Sequence, residues 1–372
     1  MSDERYARQV ILPEVGEAGQ ARLAEASVLI VGAGGLGTPV ALYLAAMGVG
    51  RLGLVDGDEV DLSNLHRQVM YTTADVGRRK VDAAADRIAA LNPEIVVERY
   101  GFRLEASNAL ATIQGYDLVV DGTDTFETRY LVNDACLLTG VPNVFASVSQ
   151  FEGQASVFAY PDGPCYRCVF PTPPPEGSVL SCAEGGVLGV LPGMMGMIQA
   201  AEAARLLLGI GEPLVGRLLL VDAASMRFRT LDVERDADCP ACGPSRRLRD
   251  LASFGADYDP TCAVPMSTPE ITVRDLQEMN QNAVPPFVLD VRRPEEYAAA
   301  NMGAELIPLD QLPARVGELE EHRGEQIVVH CRSGSRSARA VDYLRAQGFD
   351  AVNLKGGIRQ WAAEIAPSLH VE

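Results

Sequence analysis

The stretch Ser27–Gln68 constrains this chain more than any other. An apolar run, Ser27–Val31, meets a turn with glycines at 32, 34, 35 and 37. An Ala/Leu-rich segment and a second apolar run, Arg51–Val55, follow and end on Asp56. That order predicts a βαβ unit with the turn at the carboxyl end of its first strand, within an α/β, Rossmann-like and mostly parallel sheet. Glycines there let backbone N–H groups approach a phosphate, and the next helix adds its positive end. A carboxylate at the end of the second strand can accept hydrogen bonds from a ribose. The half of the chain built on this unit is expected to bind a nucleotide.

Gly32, Gly34 and Gly37 also fit the GxGxxG of an NAD enzyme, so the residues after Asp56 decide more. DLSNLHRQ places Ser63, Asn64, Arg67 and Gln68 close behind it, and Lys80 follows in GRRK. A pyrophosphate-holding site does not need this many polar and cationic groups, whereas a site that stabilises charge on a transferring phosphoryl group does. Arg and Lys on a solvated helix are the ordinary alternative. The chain has only two lysines, however, and one is Lys80.

The net charge of −18 argues against nucleic-acid or anionic-membrane binding by the whole surface. An acidic, lysine-poor composition fits a GC-rich genome or a salt-adapted source equally well. The start, MSDERYARQ, shows no signal-peptide core, so a cytoplasmic protein is expected. The apolar stretch Val187–Ile210 contains Glu202 and Arg205 and reads as a buried helical segment, not a membrane span.

Downstream of a helical amino-terminal segment broken near Pro13, strands are expected at Ile95–Tyr100 and Tyr116–Val120. The second delivers Asp121-Gly122-Thr123-Asp124 to its carboxyl end. Asp124 there can hold Mg²⁺ on a nucleotide phosphate, or can cap the next helix. Strands resume from Val144 to Phe158. The pairs Cys165/Cys168 (CYRC) and Cys239/Cys242 (CPAC) form a candidate structural Zn²⁺ site. Disulfides or a redox CxxC are the alternatives, although neither pair opens a helix in a thioredoxin-like context. Cys182 lies in a Pro/Gly-rich loop and is either a packed thiol or a nucleophile beside the nucleotide site.

Residues 1–245 are read as the first domain, 246–268 as a linker and 269–372 as a second, smaller α/β domain. In the latter, strands Phe287–Asp290 and Gln326–His330 lead into CRSGSRS and a helix. A Cys at a strand-to-helix turn faces backbone N–H groups and a helix dipole that stabilise an anion on sulfur. Four residues separate Cys331 from Arg336, one fewer than in the Cys-x5-Arg phosphatase loop, so the cradle suits sulfur better than phosphate. His330 ends its strand as a structural residue.

With these motifs in hand, the first domain resembles the MoeB/ThiF family of adenylyltransferases, relatives of ubiquitin-activating enzymes. RYARQVILPEVGEAGQ, GAGGLG, VDGDEVDLSNLHRQ, Lys80, DGTDTFETRYLVNDAC, both CxxC pairs and SCAEGGVLG carry the likeness. From about residue 269, DVRRPEEY, CRSGSRS and LKGGIRQW resemble a rhodanese domain. The fusion is similar to the MoeZ-like adenylyltransferase–sulfurtransferase type.

The resemblance implies that ATP activates the C-terminal Gly-Gly carboxylate of a ubiquitin-like sulfur-carrier protein. A Cys331 persulfide, charged by a sulfur donor such as a cysteine desulfurase or thiosulfate, then gives the thiocarboxylate. It assigns the ribose to Asp56, phosphates to Arg67 and Lys80, Mg²⁺ to Asp124, and further nucleotide contacts to Gly35, Ser63, Asn64, Gln68 and Thr125. It also implies a homodimer in which Arg8 reaches the partner subunit's site, and a role for Cys182 in forming or resolving an acyl disulfide. Thr125 stands where the family usually has Asn, and Asn301 where rhodaneses often carry His. The competing readings are an NAD-dependent oxidoreductase, a second domain that only docks a sulfur donor, and a phosphatase-like second domain.

Overall fold

Ser27–Val31 (β1) is a continuous β-branched and Leu run buried on both faces, the pattern of a central parallel strand. The computed structural model describes residues 4–174, 186–258, 269–281, 285–367 and 369. It divides into two compact units, Met1–Ala263 and Val264–Glu372, each described by itself.

In the first unit β1 pairs in parallel with Arg51–Val55 (β2) on one side and Leu118–Asp121 (β4) on the other. Val96–Tyr100 (β3) lies beyond β2, and Asn143–Ser149 (β5) beyond β4. Glu152–Phe158 (β6), Arg217–Asp222 (β7) and Arg227–Asp232 (β8) continue the sheet antiparallel, giving the order β3-β2-β1-β4-β5-β6-β7-β8. Strand order reverses between β1 and β4. This is the switch point at which the carboxyl ends of an open α/β sheet leave a crevice.

Helices Gly37–Met47 and Val190–Leu208 pack on each other and cover one core, which includes Leu44, Ile30, Val120 and Met195. The second helix is the apolar stretch expected around Val187–Ile210. Its Glu202 is buried, accepts from Leu214 N–H and pairs with Arg205. Among the described residues no helix is long and apolar enough to cross a membrane. At the amino terminus, helices Ala7–Val10 and Gly16–Glu25 flank the expected break at Pro13.

Residues 246–258, sequence-read as the start of a linker, lie on the first unit. Leu248 and Leu251 are buried, and Tyr258 donates to Asp134 at 2.6 Å. Their apolar side chains are too widely spaced to show a period, which is why composition alone made them look like tether.

The second unit holds a parallel five-stranded sheet in the order β11-β10-β12-β13-β9. Its strands are Glu270–Ile271 (β9), Phe287–Asp290 (β10), Glu305–Leu306 (β11), Gln326–His330 (β12) and Asp350–Leu354 (β13). Helix Ser335–Ala346 follows β12 directly and packs on β12 and β13.

Candidate active sites

The glycine turn after β1 is held by contacts that exclude side chains. Gly32 has φ +92°, and a Cβ there would meet the Gly122 carbonyl oxygen at 2.7 Å. One on Gly37 would collide with the Gly32 carbonyl. The turn therefore lies flat against the end of β4 and opens one wall of a crevice of about 1210 Å³. Gly35, Asp56, Asn64, Arg67, Gln68, Lys80, Asp124 and Thr125 all line it.

Asp56 is fixed by two backbone donors, Ala33 N–H at 2.9 Å and Asp58 N–H at 2.8 Å. Burial lifts its carboxyl above the usual carboxylate range, against the opposing pull of Lys80 and these amides. Lys80 opens helix Lys80–Leu91 and is nearly buried, with its ammonium 3.0 Å from Asp58 and 3.6 Å from Asp56. Partial burial works against ionisation of Asp58, but Lys80 and Arg103 together hold its carboxyl below the ordinary value.

Arg67 donates to the Ser63 carbonyl at 3.1 Å and meets the His66 ring at 2.8 Å, with no carboxylate partner among the described residues. Its charge is thus free for an anion. Gln68 is buried and its Oε1 has no hydrogen-bond partner among the described residues, so an unspent acceptor lines the crevice. Asn64 accepts from Asp61 N–H and closes the 3-10 turn Leu62–Asn64 that presents these side chains. Ser63 lies in that turn and supplies the carbonyl that holds Arg67, but its side chain does not line the crevice.

At the end of β4, Thr125 rather than Asp124 caps helix Phe126–Thr139, with Thr125 Oγ1 accepting from Thr128 N–H at 3.4 Å. Asp124 is exposed on the crevice wall with its carboxylate outside the cap, a hard oxygen donor suited to Mg²⁺. Thr125, the departure from the family's Asn, is used locally as that cap. Arg8 is exposed and does not line the crevice. Cys182 lies outside the described residues.

Sequence reading missed part of the wall. Phe102–Ser107, after β3, lines the crevice together with Glu127, Arg129 and Tyr258. The signal available was the carboxyl end of β3. Sequence reading placed Asp121 at the strand end but gave it no role; the residue is fully buried beneath the loop and accepts from Thr123 N–H at 3.0 Å and Thr123 Oγ1 at 2.6 Å. Gln199 in turn donates to the Asp121 carbonyl at 2.6 Å. Burial raises the Asp121 carboxyl, and its second oxygen has no partner.

The sulfur atoms of Cys165, Cys168, Cys239 and Cys242 lie within 4.8 Å of one another. Cys165–Cys239 is 3.6 Å, Cys168–Cys242 3.4 Å and Cys165–Cys168 3.8 Å, and all four are free thiols. A tetrahedral ion with S bonds of about 2.3 Å spaces its ligands by about 3.8 Å, so the cluster fits a four-thiolate metal site. Cys165 does open a helix, but only the single turn Tyr166–Val169. Inside that turn Arg167 is buried, forks onto Asp134 at 2.7–3.0 Å and reaches Asp257 at 2.6 Å. Its guanidinium lies 4.2 Å over the Phe254 ring. This rivet joins the cysteine cluster to helix Phe126–Thr139 and to residues 251–258.

In the second unit Cys331 is buried just after β12, and its sulfur accepts from Gly334 N–H at 3.2 Å and lies 3.4 Å from Ser337 Oγ. The LKGG turn braces the loop from outside, with Ile358 N–H donating to the Cys331 carbonyl at 2.9 Å and Arg359 N–H to the Arg332 carbonyl at 3.1 Å. These two carbonyls are thereby taken up on the outer side, while Gly334 N–H donates to the sulfur. Arg336 is already spent on a two-point ion pair with Glu296, 2.7 Å at each contact. That pair holds the Glu296 carboxyl down at about 2. An Arg so engaged is not a phosphate fork, which disfavours a phosphatase. His330 is buried and burial lowers its pKa. Its Nε2 has no hydrogen-bond partner among the described residues and lies 3.6 Å from Asp290, consistent with a structural residue.

Comparison with known proteins matches this arrangement. The ThiF family profile covers residues 6–241 and the rhodanese-like domain profile residues 272–364. The chain belongs to the ThiF family, in its adenylyltransferase–sulfurtransferase branch. It is 42% identical over 387 residues to adenylyltransferase and sulfurtransferase MOCS3-1 of Zea mays, covering 99% of this chain and 83% of the relative. It is 55% identical over 266 residues to the sulfur carrier protein adenylyltransferase of Thermus thermophilus, 70% of this chain and 97% of that one. The fold of the ThiF-type unit recurs in E. coli MccB, with a TM-score of 0.59 and 22% identity over 66% of this chain and 74% of that one.

Proposed function

We propose that the chain adenylates the C-terminal Gly-Gly carboxylate of a ubiquitin-like sulfur-carrier protein and then delivers sulfur to it from Cys331. The observation carrying the first step is the convergence of Asp56, unpaired Arg67, Lys80 and Asp124 on the glycine turn at the β1/β4 switch point. In this reading Asp56 accepts from the ribose, and Gly35, Ser63, Asn64, Gln68 and Thr125 complete the nucleotide contacts. Arg67 and Lys80 bind the phosphates and stabilise charge as the carrier carboxylate attacks the α-phosphorus and pyrophosphate leaves. Mg²⁺ held by Asp124 would neutralise triphosphate charge. Zn²⁺ held by Cys165, Cys168, Cys239 and Cys242 would tie distant segments together. The Arg67 and Lys80 cations on this crevice argue against an NAD enzyme, whose hydride chemistry uses neither.

For the second step, a sulfur donor such as a cysteine desulfurase or thiosulfate gives Cys331 a persulfide. Its anion attacks the acyl-adenylate carbonyl and expels AMP. A second thiol then attacks the Cys331 sulfur of the resulting acyl disulfide, releasing the thiocarboxylate and leaving a protein disulfide for an external thiol to reduce. We assign that second thiol to Cys182. We further infer a homodimer to which Arg8 contributes across subunits, and the domain division 1–245, 246–268 and 269–372. We also infer a cytoplasmic location, a reading that the free cysteine cluster supports because it suits a reducing compartment.

The test is isotope exchange of pyrophosphate into ATP with candidate Gly-Gly carriers, followed by intact-mass analysis with a sulfur donor. Carrier-dependent exchange, and then replacement of one carrier oxygen by sulfur, are expected. Hydride transfer to NAD without exchange would overturn the reading.

A further inference from the structure

A hydrogen-bond chain runs from the Cys331 sulfur across the second sheet to a surface carboxylate. Ser337 Oγ lies 3.4 Å from Cys331 Sγ, 3.1 Å from the Gly334 carbonyl and 2.7 Å from Asn353 Oδ1. Asn353 Nδ2 donates to Glu270 Oε1 at 2.8 Å. Ser337 and Asn353 are fully buried, while the Glu270 side chain is 41% exposed, with Lys355 at 3.6 Å. Chemistry orients the chain. A carboxylate only accepts, so the amide nitrogen must face Glu270 and the amide oxygen must face Ser337. The hydroxyl has one proton and three acceptors around it. With a neutral thiol, the shortest contact takes the proton to Asn353, whose oxygen is made more negative by the carboxylate beyond. When the sulfur carries a negative charge, a rotation about Cβ–Oγ brings the same proton to it as a charge-assisted hydrogen bond.

We propose that Ser337 is the side-chain donor to the anionic sulfur of Cys331, and that Asn353 and Glu270 are positioning residues that govern how readily its hydroxyl turns to that sulfur. The proposal rests on Cys331 being the sulfur-carrying residue. Other polar groups near the sulfur are otherwise engaged. Gly334 N–H is a fixed backbone donor, and Arg336 is locked on Glu296. His330 and Arg292 gather around Asp290 on the neighbouring strand, and Arg332 lies exposed on the loop. Among the groups described around the sulfur, the hydroxyl can change partner without moving the backbone.

The two ends of the chain therefore act in opposite directions. Removing the hydroxyl takes a donor from the anion. Removing the carboxylate weakens Asn353's hold on the hydroxyl and releases it to the sulfur. The experiment follows iodoacetamide labelling of Cys331 in the full-length protein against pH, read by mass spectrometry of its peptide. Ser337→Ala is expected to slow labelling about tenfold at neutral pH, the rates converging at high pH where the sulfur is ionised regardless. Glu270→Ala, a surface change, is expected to speed neutral-pH labelling by roughly threefold, and to do nothing when Ser337→Ala is already present. Ser337→Thr, which keeps the hydroxyl, should restore the parent profile.

A Ser337→Ala profile that superimposes on the parent, or one slowed equally at every pH, overturns the proposal. So does slowing by Glu270→Ala, or an undiminished effect of Glu270→Ala in the double variant. Glutathione persulfide tests the underlying reading separately: the Cys331 thiolate attacks its outer sulfur, an S–S bond forms to Cys331, and glutathione thiolate leaves. If the parent Cys331 gains no sulfur, the sulfur-transfer reading fails, while the labelling profiles still judge the hydroxyl.

Discussion

Arg67 and Lys80 differ in what they do before a nucleotide arrives, and that difference shapes their expected losses. Lys80 rests on Asp58 and Asp56 and in the proposed reading would exchange one carboxylate for a phosphate, whereas Arg67 has no acid partner among the described residues. Arg67→Ala and Lys80→Ala are each expected to lower the exchange rate by about 10²-fold or more, as for lost transition-state donors. A change confined to ATP affinity would instead mark them as ground-state binders. Asp124→Ala is expected nearly to abolish Mg²⁺-dependent exchange, and normal exchange by that variant would remove Asp124 from the mechanism. Asp56 and Asp124 were legible because they fall at strand ends, where topology alone predicts a crevice, and Arg67 and Lys80 because the polar runs DLSNLHRQ and GRRK follow Asp56. Asp121, Gln199 and Arg167 were not. Their importance comes from burial and from contacts with residues dozens of positions away, and no local pattern announces a buried polar group.

Elements carry a second set of consequences, because single side chains tie them together. Helix Pro294–Ala299 is pinned to helix Ser335–Ala346 by Glu296 and Arg336. The Glu296 carboxyl sits near 2 in the folded unit, below its ordinary value of 4.5. A depressed carboxylate stabilises fully above its unfolded pKa, and that stabilisation is lost as pH falls through the folded one. Glu296→Gln is thus expected to cost about 1–2 kcal/mol at neutral pH after solvent screening, the penalty shrinking below pH 4.5 and vanishing near pH 2. Chemical denaturation of the second unit across that range measures it.

The cysteine cluster binds elements in the same sense, joining the turn after β6 to the segment after β8. One Zn²⁺ per chain is expected to copurify, and replacing any one of the four cysteines with Ser should lower the first unit's Tm by several degrees. A metal-free protein of undiminished Tm, by elemental analysis and calorimetry, would contradict it. The element pattern was readable wherever apolar runs were continuous, as in β1 and β2, which match their expected bounds. Residues 246–258 carried no readable period because Leu248, Leu251 and Tyr258 pack singly.

At the scale of the whole molecule, the chemistry divides along the two compact units. Gly35, Asp56, Arg67, Lys80 and Asp124 all belong to Met1–Ala263, while Cys331, its amide cradle and Ser337 belong to Val264–Glu372. Each unit has its own sheet and its own cores, so neither site depends on the other for its local geometry. Adenylation ends with an activated carboxylate, and sulfur transfer begins with a persulfide anion. Only the carrier's acyl group must pass between them. Cys331→Ser keeps the shape of the loop but offers an oxygen that cannot carry sulfane sulfur. It is expected to leave carrier-dependent pyrophosphate exchange intact while abolishing thiocarboxylate formation from thiosulfate or a desulfurase, as measured by intact mass of the carrier. Thiocarboxylate made at the parent rate would reduce the second unit to a docking module for the donor. Loss of exchange as well would show that the units are coupled in catalysis, with the sulfur site influencing the nucleotide crevice before any acyl group is transferred.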